Sequence, residues 1–176
     1  MKLSLAQRLT TQEKVKTFLT QLQNEADDTL QTLRDLARGI YPPLLADKGL
    51  ETALVAQANK SSLVVEVRGN GVGRYSQEVE AAVYFCCLEA LQNVSKYAGD
   101  CQVTVTLNAT PDTLTFEVAD TGCGFDISSS PRGHGLQNMS DRVDALGGTL
   151  SVESREGSGT TVTGRIPIQS LKPAHV

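Results

Sequence analysis

The sequence predicts an α/β domain over about residues 61–168, entered through one long amphipathic helix, and three observations carry that reading. Val15, Leu19, Leu22, Ala26, Leu30, Leu33, Ala37 and Ile40 recur at spacings of three and four, which makes a single apolar stripe. After Ser61, short β-rich runs alternate with two longer helical patterns. Glycine-rich clusters separate these runs at Gly69–Gly71, Gly122–Gly124, Gly133–Gly135, Gly147–Gly148 and Gly157–Gly159.

Taken in order, residues 11–40 form the long helix, with Lys14, Gln23, Asn24, Asp27, Asp28, Arg34 and Asp35 on its polar faces. A stripe near a 3.5-residue repeat packs against another helix in a bundle or coiled coil. The helix ends at Tyr41-Pro42-Pro43, because neither proline donates an intrahelical bond and Pro42 restricts Tyr41. Leu44–Leu50 reads as a junction and Glu51–Asn59 as a short helix. Leu63–Val67 is strand-like and Gln77–Ala98 helical. Gln102–Leu107 and Thr113–Ala119 form a hairpin around a five-residue loop, Asn108–Asp112. A helix carrying Leu136, Met139, Val143 and Leu146 follows Gly133–Gly135 and is closed by Gly147-Gly148. Leu150–Glu153 and Thr160–Ile166 form a second antiparallel pair, and 169–176 is a loose tail.

Composition removes several function classes. The 176 residues, 40% of them hydrophobic, supply one ordinary core plus an accessory element without disulfide help. Sixteen basic against twenty acidic residues leave a net charge of −4 and no basic block, and Trp is absent, which argues against a nucleic-acid partner. The longest uncharged apolar stretch, Ala81–Leu88, is far short of the roughly 20 residues that span a bilayer. This region is therefore expected to be cytoplasmic and free of membrane contact. The four cysteines include no C-x-x-C pair and only His134 and His175 accompany them, so neither a disulfide scaffold nor a zinc site is suggested.

Three clusters carry chemistry. Glu89, Asn93 and Lys96 fall at i, i+4 and i+7 of the predicted 77–98 helix and share a face, opposite Tyr84, Cys87, Leu91, Val94 and Ala98. An Asn oxygen suits Mg²⁺, whose remaining ligands would be phosphates and water. A Lys one turn on can approach phosphate, and Glu89 can orient a metal-bound water or another site group. Taken alone, the pattern favours the plainer reading of a solvated polar stripe. Asp120 ends a strand beside Gly122 and Gly124, where a carboxylate can accept from an adenine amino group and the glycines admit a flat ring; the same residues also describe a ligand-free turn. Gly133-His134-Gly135-Leu136 opens a helix whose unpaired amides can seat phosphate, behind a flap at Ser128–Pro131 to which His134 belongs. Gly157-Ser158-Gly159-Thr160 is a tight link, and Thr161 is a candidate to help Asp120 hold a base.

The order and separation of these clusters resemble the ATPase domain shared by sensor histidine kinases, type II topoisomerases, the Hsp90 chaperone and MutL proteins. Phe85-x-x-x-Glu89-Ala90-Leu91-x-Asn93-x-x-Lys96-Tyr97-Ala98 resembles the family's Asn box, with Tyr97 where histidine is common. Asp120-x-Gly122-x-Gly124-Phe125, Gly133-His134-Gly135-Leu136-x-x-Met139-x-x-Arg142 and Gly157-Ser158-Gly159-Thr160 resemble the three glycine boxes. The short lid between the first two is similar to that of histidine kinases. Leu33–Leu50 resembles the second dimerisation helix and junction of the nitrate-sensor and DesK-like subfamily.

The resemblance implies a two-layer α/β sandwich with a mixed, mostly antiparallel sheet and helices on one face, the nucleotide lying between helices and lid. It implies ATP and Mg²⁺ as cofactors, Glu89, Asn93 and Lys96 as catalytic residues, and Asn93 as metal ligand. Nucleotide contacts would come from Asn93, Lys96, Asp120, Gly122, Gly124, Gly133, His134, Gly135, Leu136, Gly157, Gly159, Thr160 and Thr161. Residues 1–45 would be part of a dimerisation and phosphotransfer helical region, 46–60 a junction helix, 61–168 the ATP-binding domain and 169–176 a tail. A homodimer through a helical hairpin and a response-regulator receiver domain are the implied partners. Neither histidine stands in the family's acceptor context, so the acceptor is expected outside this chain, in a parent protein either membrane-anchored or soluble. A protein serine kinase of the anti-sigma type and a non-catalytic ATP-sensing dimerisation module are the alternatives. The Pro-Pro-terminated helix disfavours the serine kinase.

Overall fold

The computed structural model describes residues 41–127 and 134–168. The helix expected over 11–40, the Ser128–Pro131 flap, Gly133 and the 169–176 tail lie outside the described residues. The chain divides between Ile40 and Tyr41, and every described residue belongs to the second unit.

Helix α1 (Pro43–Ala58) begins on Pro43 at a first-turn position, where a missing N–H costs nothing. The expected junction Leu44–Leu50 is thus largely helical. The break lies at Gly49, whose φ of 77° and ψ of −176° are non-helical. Leu45, Leu50, Ala53 and Leu54 are buried.

Strand β1 (Val64–Asn70) absorbs Gly69 and Asn70, and the chain turns at Gly71, with φ of 67°. Helix α2 (Gln77–Tyr97) starts at Ser76, whose hydroxyl accepts from Val79 N at 3.4 Å. Glu78 and Glu80 in its first turn and Lys96 in its last match the helix dipole. The hairpin of β2 (Gln102–Ala109) and β3 (Thr113–Asp120) is tighter than expected, because Asn108 pairs with Thr115 and Ala109 with Leu114. Thr110 closes its loop: its N–H donates to Thr113 O at 2.9 Å and its Oγ1 accepts from Thr113 N at 3.1 Å.

Helix α3 (His134–Asp144) ends through two bonds, Gly148 N to Val143 O at 3.0 Å and Gly147 N to Asp144 O at 2.9 Å. With Gly147 at a φ of 70°, this is the left-handed glycine stop expected from Gly147-Gly148. Strands β4 (Thr149–Ser154) and β5 (Thr160–Pro167) complete a five-stranded sheet of order β1-β2-β3-β5-β4. Only β1 and β2 run parallel, joined by the α2 crossover; the other neighbours are antiparallel.

Strand alternation sets the core. Leu114, Phe116 and Val118 of β3 are buried with Val103, Val105 and Leu107 of β2 and Val162 and Ile166 of β5. The helices contribute Val83, Cys86, Cys87, Leu91, Val94, Met139 and Val143 to the same cluster. Gly164 lies across from Phe116, and a Cβ there would overlap the Phe116 ring. The result is the expected two-layer sandwich, with Asp120 at the end of the central antiparallel pair.

Candidate functional site

Asp120 is the last residue of β3 and follows the alternation that buries Leu114, Phe116 and Val118, so its carboxylate is carried to the helical face. It is only 9% exposed. Its Oδ1 accepts from Gly122 N at 2.8 Å, and no described residue donates a hydrogen bond to its other oxygen. Gly122 is itself buried. A Cβ on it would stand 2.5 Å from Ala98 Cβ and 2.6 Å from Ala98 O. The loop after Asp120 is therefore pressed onto the C-terminus of α2, where Cys123 N donates to Ala98 O at 3.0 Å.

The same loop is fastened to the β4–β5 turn. Gly157 N donates to Cys123 O at 2.6 Å, and Phe125 N donates to Ser154 Oγ at 2.9 Å. Ser154 gives its single proton to Gly159 O at 3.1 Å, which leaves Thr160 as donor across their 2.9 Å hydroxyl contact. Gly124, with φ of 57°, leaves no room for a Cβ beside Arg155 O and Gly159 O. Gly159, with φ of 79°, passes against Asp120 O. Only glycine satisfies both a left-handed backbone and these backbone approaches.

Helix α2 supplies the third wall. Asn93 is half-buried and Lys96 exposed, one turn apart on the last two turns. Glu89 departs from its expected place in an open polar row: it is only 7% exposed. A Cβ on Gly135 would lie 2.5 Å from Glu89 Oε1, so the first turn of α3 seats directly on this carboxylate. Cys86 Sγ against Met139 O at 3.8 Å and Arg142 over the Phe85 ring at 5.5 Å hold α3 to α2 nearby. His134 is exposed and Leu136 half-buried at the start of α3.

The Gly122–Gly124 and Gly157–Gly159 loops are thus joined by a backbone bond, and the start of α3 meets α2 through Gly135. The site brings together a nearly buried carboxylate with one oxygen bonded to Gly122 N, the glycine loops around it, and the helix that carries Asn93 and Lys96. Residues 78–170 match the family described as Histidine kinase-, DNA gyrase B-, and HSP90-like ATPase. The chain belongs to this ATPase family.

Its relatives place it with the ATP-binding catalytic portion of sensor histidine kinases. The oxygen sensor histidine kinase NreB of Staphylococcus carnosus is 31% identical over 146 residues, which cover 79% of this chain and 42% of that protein. The sensor histidine kinase MctS of Rhizobium johnstonii is 30% identical over 155 residues, covering 83% of this chain and 33% of that one. The chain therefore spans less than half the length of the curated relatives it matches. The Acinetobacter baumannii histidine kinase AdeS shares the fold at a TM-score of 0.58 and 17% identity, over 86% of this chain and 84% of that chain. The blue-light activated histidine kinase of Erythrobacter litoralis does so at 0.58 and 22% identity, over 68% and 40%.

In this ATPase domain the strand register corrects one residue. Thr161 pairs with Ala119, so its side chain shares the face of Ala119 and points away from that of Asp120. Thr160, one rung further, stands on the Asp120 face with its partner Ser154. The alternation of buried Val162, Gly164 and Ile166 was the signal that would have chosen Thr160. Ser154 itself had no sequence signal, since a lone serine at a strand end is unremarkable until two loops close on its hydroxyl. Among the described residues no group of His, Cys, Asp and Glu could hold a metal unaided, and no described helix is long and apolar enough to cross a membrane.

Proposed function

We propose that the ATPase domain works within a histidine kinase, passing the γ-phosphoryl group of Mg-ATP to a histidine outside this chain and thence to an aspartate of a response-regulator receiver domain. The carrying observation is the Asp120 carboxylate, nearly buried, with one oxygen fixed by Gly122 N and the other open. That open oxygen would accept from the adenine amino group, with Thr160 beside it. Gly122 and Gly124 would let backbone approach the ring.

Asn93 would hold Mg²⁺ together with phosphate oxygens and water, the hard oxygen ligands this cation takes. Lys96 would lie along the phosphates. Glu89, held against Gly135, would orient groups between α2 and the start of α3, where His134, Gly135 and Leu136 would face the phosphates together with Gly133. Gly157 and Gly159 would contact the nucleotide from the β4–β5 turn, which is bonded to the loop at Cys123 and packed on Asp120 O. Bound Mg-ATP supplies the transferable phosphoryl group, and the residues supply position and charge. Residues 1–45 would belong to the dimerisation region, which makes a homodimer the expected assembly.

The test is γ-labelled ATP added to the full-length protein. Label that survives base and is lost in acid, and that disappears in Asn93→Ala, is the expected result. A folded, dimeric, ATP-binding full-length protein that acquires no acid-labile label would overturn the kinase reading and leave a nucleotide-sensing module.

A further inference from the structure

Far from the nucleotide residues, the first turn of α2 buries a carboxylate completely: Glu80 is 0% exposed. A charge in that position is costly unless it is fully bonded, and here four hydrogen bonds from three residues reach it. Arg74 Nε donates to Oε1 at 2.7 Å and an Arg74 terminal nitrogen to Oε2 at 3.2 Å. Tyr75 N donates to Oε1 at 3.0 Å, and the Tyr41 hydroxyl donates to Oε2 at 2.6 Å. Arg74 also donates to Ala46 O at 2.9 Å, in the first part of α1. Its stem covers Gly49, where a Cβ would stand 3.1 Å from Arg74 Cδ, at the break in α1.

These partners come from three places with one thing in common. Tyr41 is the residue at which the chain enters this unit. Ala46 and Gly49 lie on the helix that follows it, and Glu80 is on the helix whose far end carries Asn93 and Lys96. Glu80 and Asn93 lie on this one helix, roughly 20 Å apart along its axis. A core needs only apolar contacts to hold α1 on α2, and Leu45, Leu50 and Leu54 already supply them. The polar cluster adds something different: a directional, all-or-none tie between the entry residue and α2. Removing one partner leaves the others with an incompletely bonded buried charge.

We propose that Tyr41, Arg74 and Glu80 form a latch that fixes the entry segment, residues 41–48, to α2, and that this tie sets the rate of phosphoryl transfer without taking part in nucleotide binding. The inference rests on the kinase reading above. Tyr41 and Arg74 are positioning residues here, since neither reaches the nucleotide residues.

The variant Tyr41→Phe keeps the ring and its packing and removes only the hydroxyl, while Arg74 and Tyr75 N still bond Glu80; Arg74→Lys keeps the charge but loses the second bond and the reach to Ala46. In the 176-residue chain, Tyr41→Phe is expected to raise hydrogen exchange of the amides in residues 42–48 at least fivefold, with ATP affinity within twofold of wild type. In the full-length protein the same change should lower kcat for histidine labelling at least fivefold at unchanged KM for ATP, and Arg74→Lys should act in the same direction. Equal kcat in wild type and Tyr41→Phe overturns the latch. So does a loss of ATP affinity in step with exchange, which would mark the cluster as fold support alone. If wild-type full-length protein forms no acid-labile label, the kinase reading has failed instead, while the exchange measurement still reports whether the tie exists.

Discussion

Asp120→Asn separates two jobs that Asp120→Ala would confuse. In the native loop Oδ1 accepts from Gly122 N at 2.8 Å while the other oxygen is open. An asparagine in this place is not free to flip, because the Gly122 N–H demands an oxygen. The amide NH₂ is then forced to the open side, where it faces the amino group of adenine donor to donor. The loss is a charge-assisted hydrogen bond of about 1.5–3 kcal/mol, which is roughly 10- to 100-fold in Kd. Stability should change little, since the bond to Gly122 persists. Asp120→Ala should lose the same affinity and also strand the buried Gly122 N–H, costing about 1–3 kcal/mol and several degrees in Tm. Calorimetric titration with ATP, and melting without nucleotide, measure the two effects separately. ATP should also outcompete GTP on the wild-type protein, because guanine presents a carbonyl at the corresponding position. Asp120→Asn binding ATP within about twofold of wild type would refute the base assignment, and Asp120→Asn melting as low as Asp120→Ala would refute the role given to Gly122.

Two further outcomes follow from the core and from the buried carboxylate. Gly164→Ala drives a methyl into the Phe116 ring, which is 0% exposed. A loss of about 1–3 kcal/mol by denaturant titration is expected, with ATP affinity of the folded protein within twofold of wild type. Glu80 gives a pH dependence of definite sign. Burial pushes its carboxyl up, but the bonds from Arg74, Tyr41 and Tyr75 N outweigh burial and hold it below the usual carboxylate range. Its contribution to stability is therefore complete above about pH 4.3 and is lost as pH falls through the lower folded-state value. Glu80→Gln should flatten the acid limb of the stability profile relative to wild type, and parallel acid limbs would contradict the assignment. The same cluster raises Tyr41 to about 12, through burial first and then its hydrogen bond to Glu80.

Much of the domain was legible from residue order because its signals are local. Gln77–Ala98 became α2 within one residue, with Ser76 as cap, and the glycine pair 147–148 closed α3 as expected. The β-rich runs all became strands. The errors lie where nearby residues do not decide. Gly69 and Asn70 look like a turn but stay in β1 because β2 offers seven consecutive rungs, ending at Asn70 opposite Asn108. Leu44–Leu50 looked like a junction because Pro42 and Pro43 precede it and Gly49 interrupts it; a helix forms on both sides of Gly49 where Leu45 and Leu50 find the core.

What the sequence determined by itself was the identity of the elements and of the chemical groups, since periodicity, caps and glycine placement act within a few residues of one another. Asp120, Asn93 and the glycine turns were singled out by the order in which they resemble the family's boxes. Tertiary structure alone decided which of these groups meet. It turned Glu89 inward against Gly135, put Thr160 rather than Thr161 on the Asp120 face, and gave Ser154 two loops to hold. It also brought Tyr41 and Glu80, 39 positions apart, within 2.6 Å. Faces and rungs are fixed by pairing with distant strands and helices, and a one-residue shift reverses every side chain, so no local pattern could have settled them.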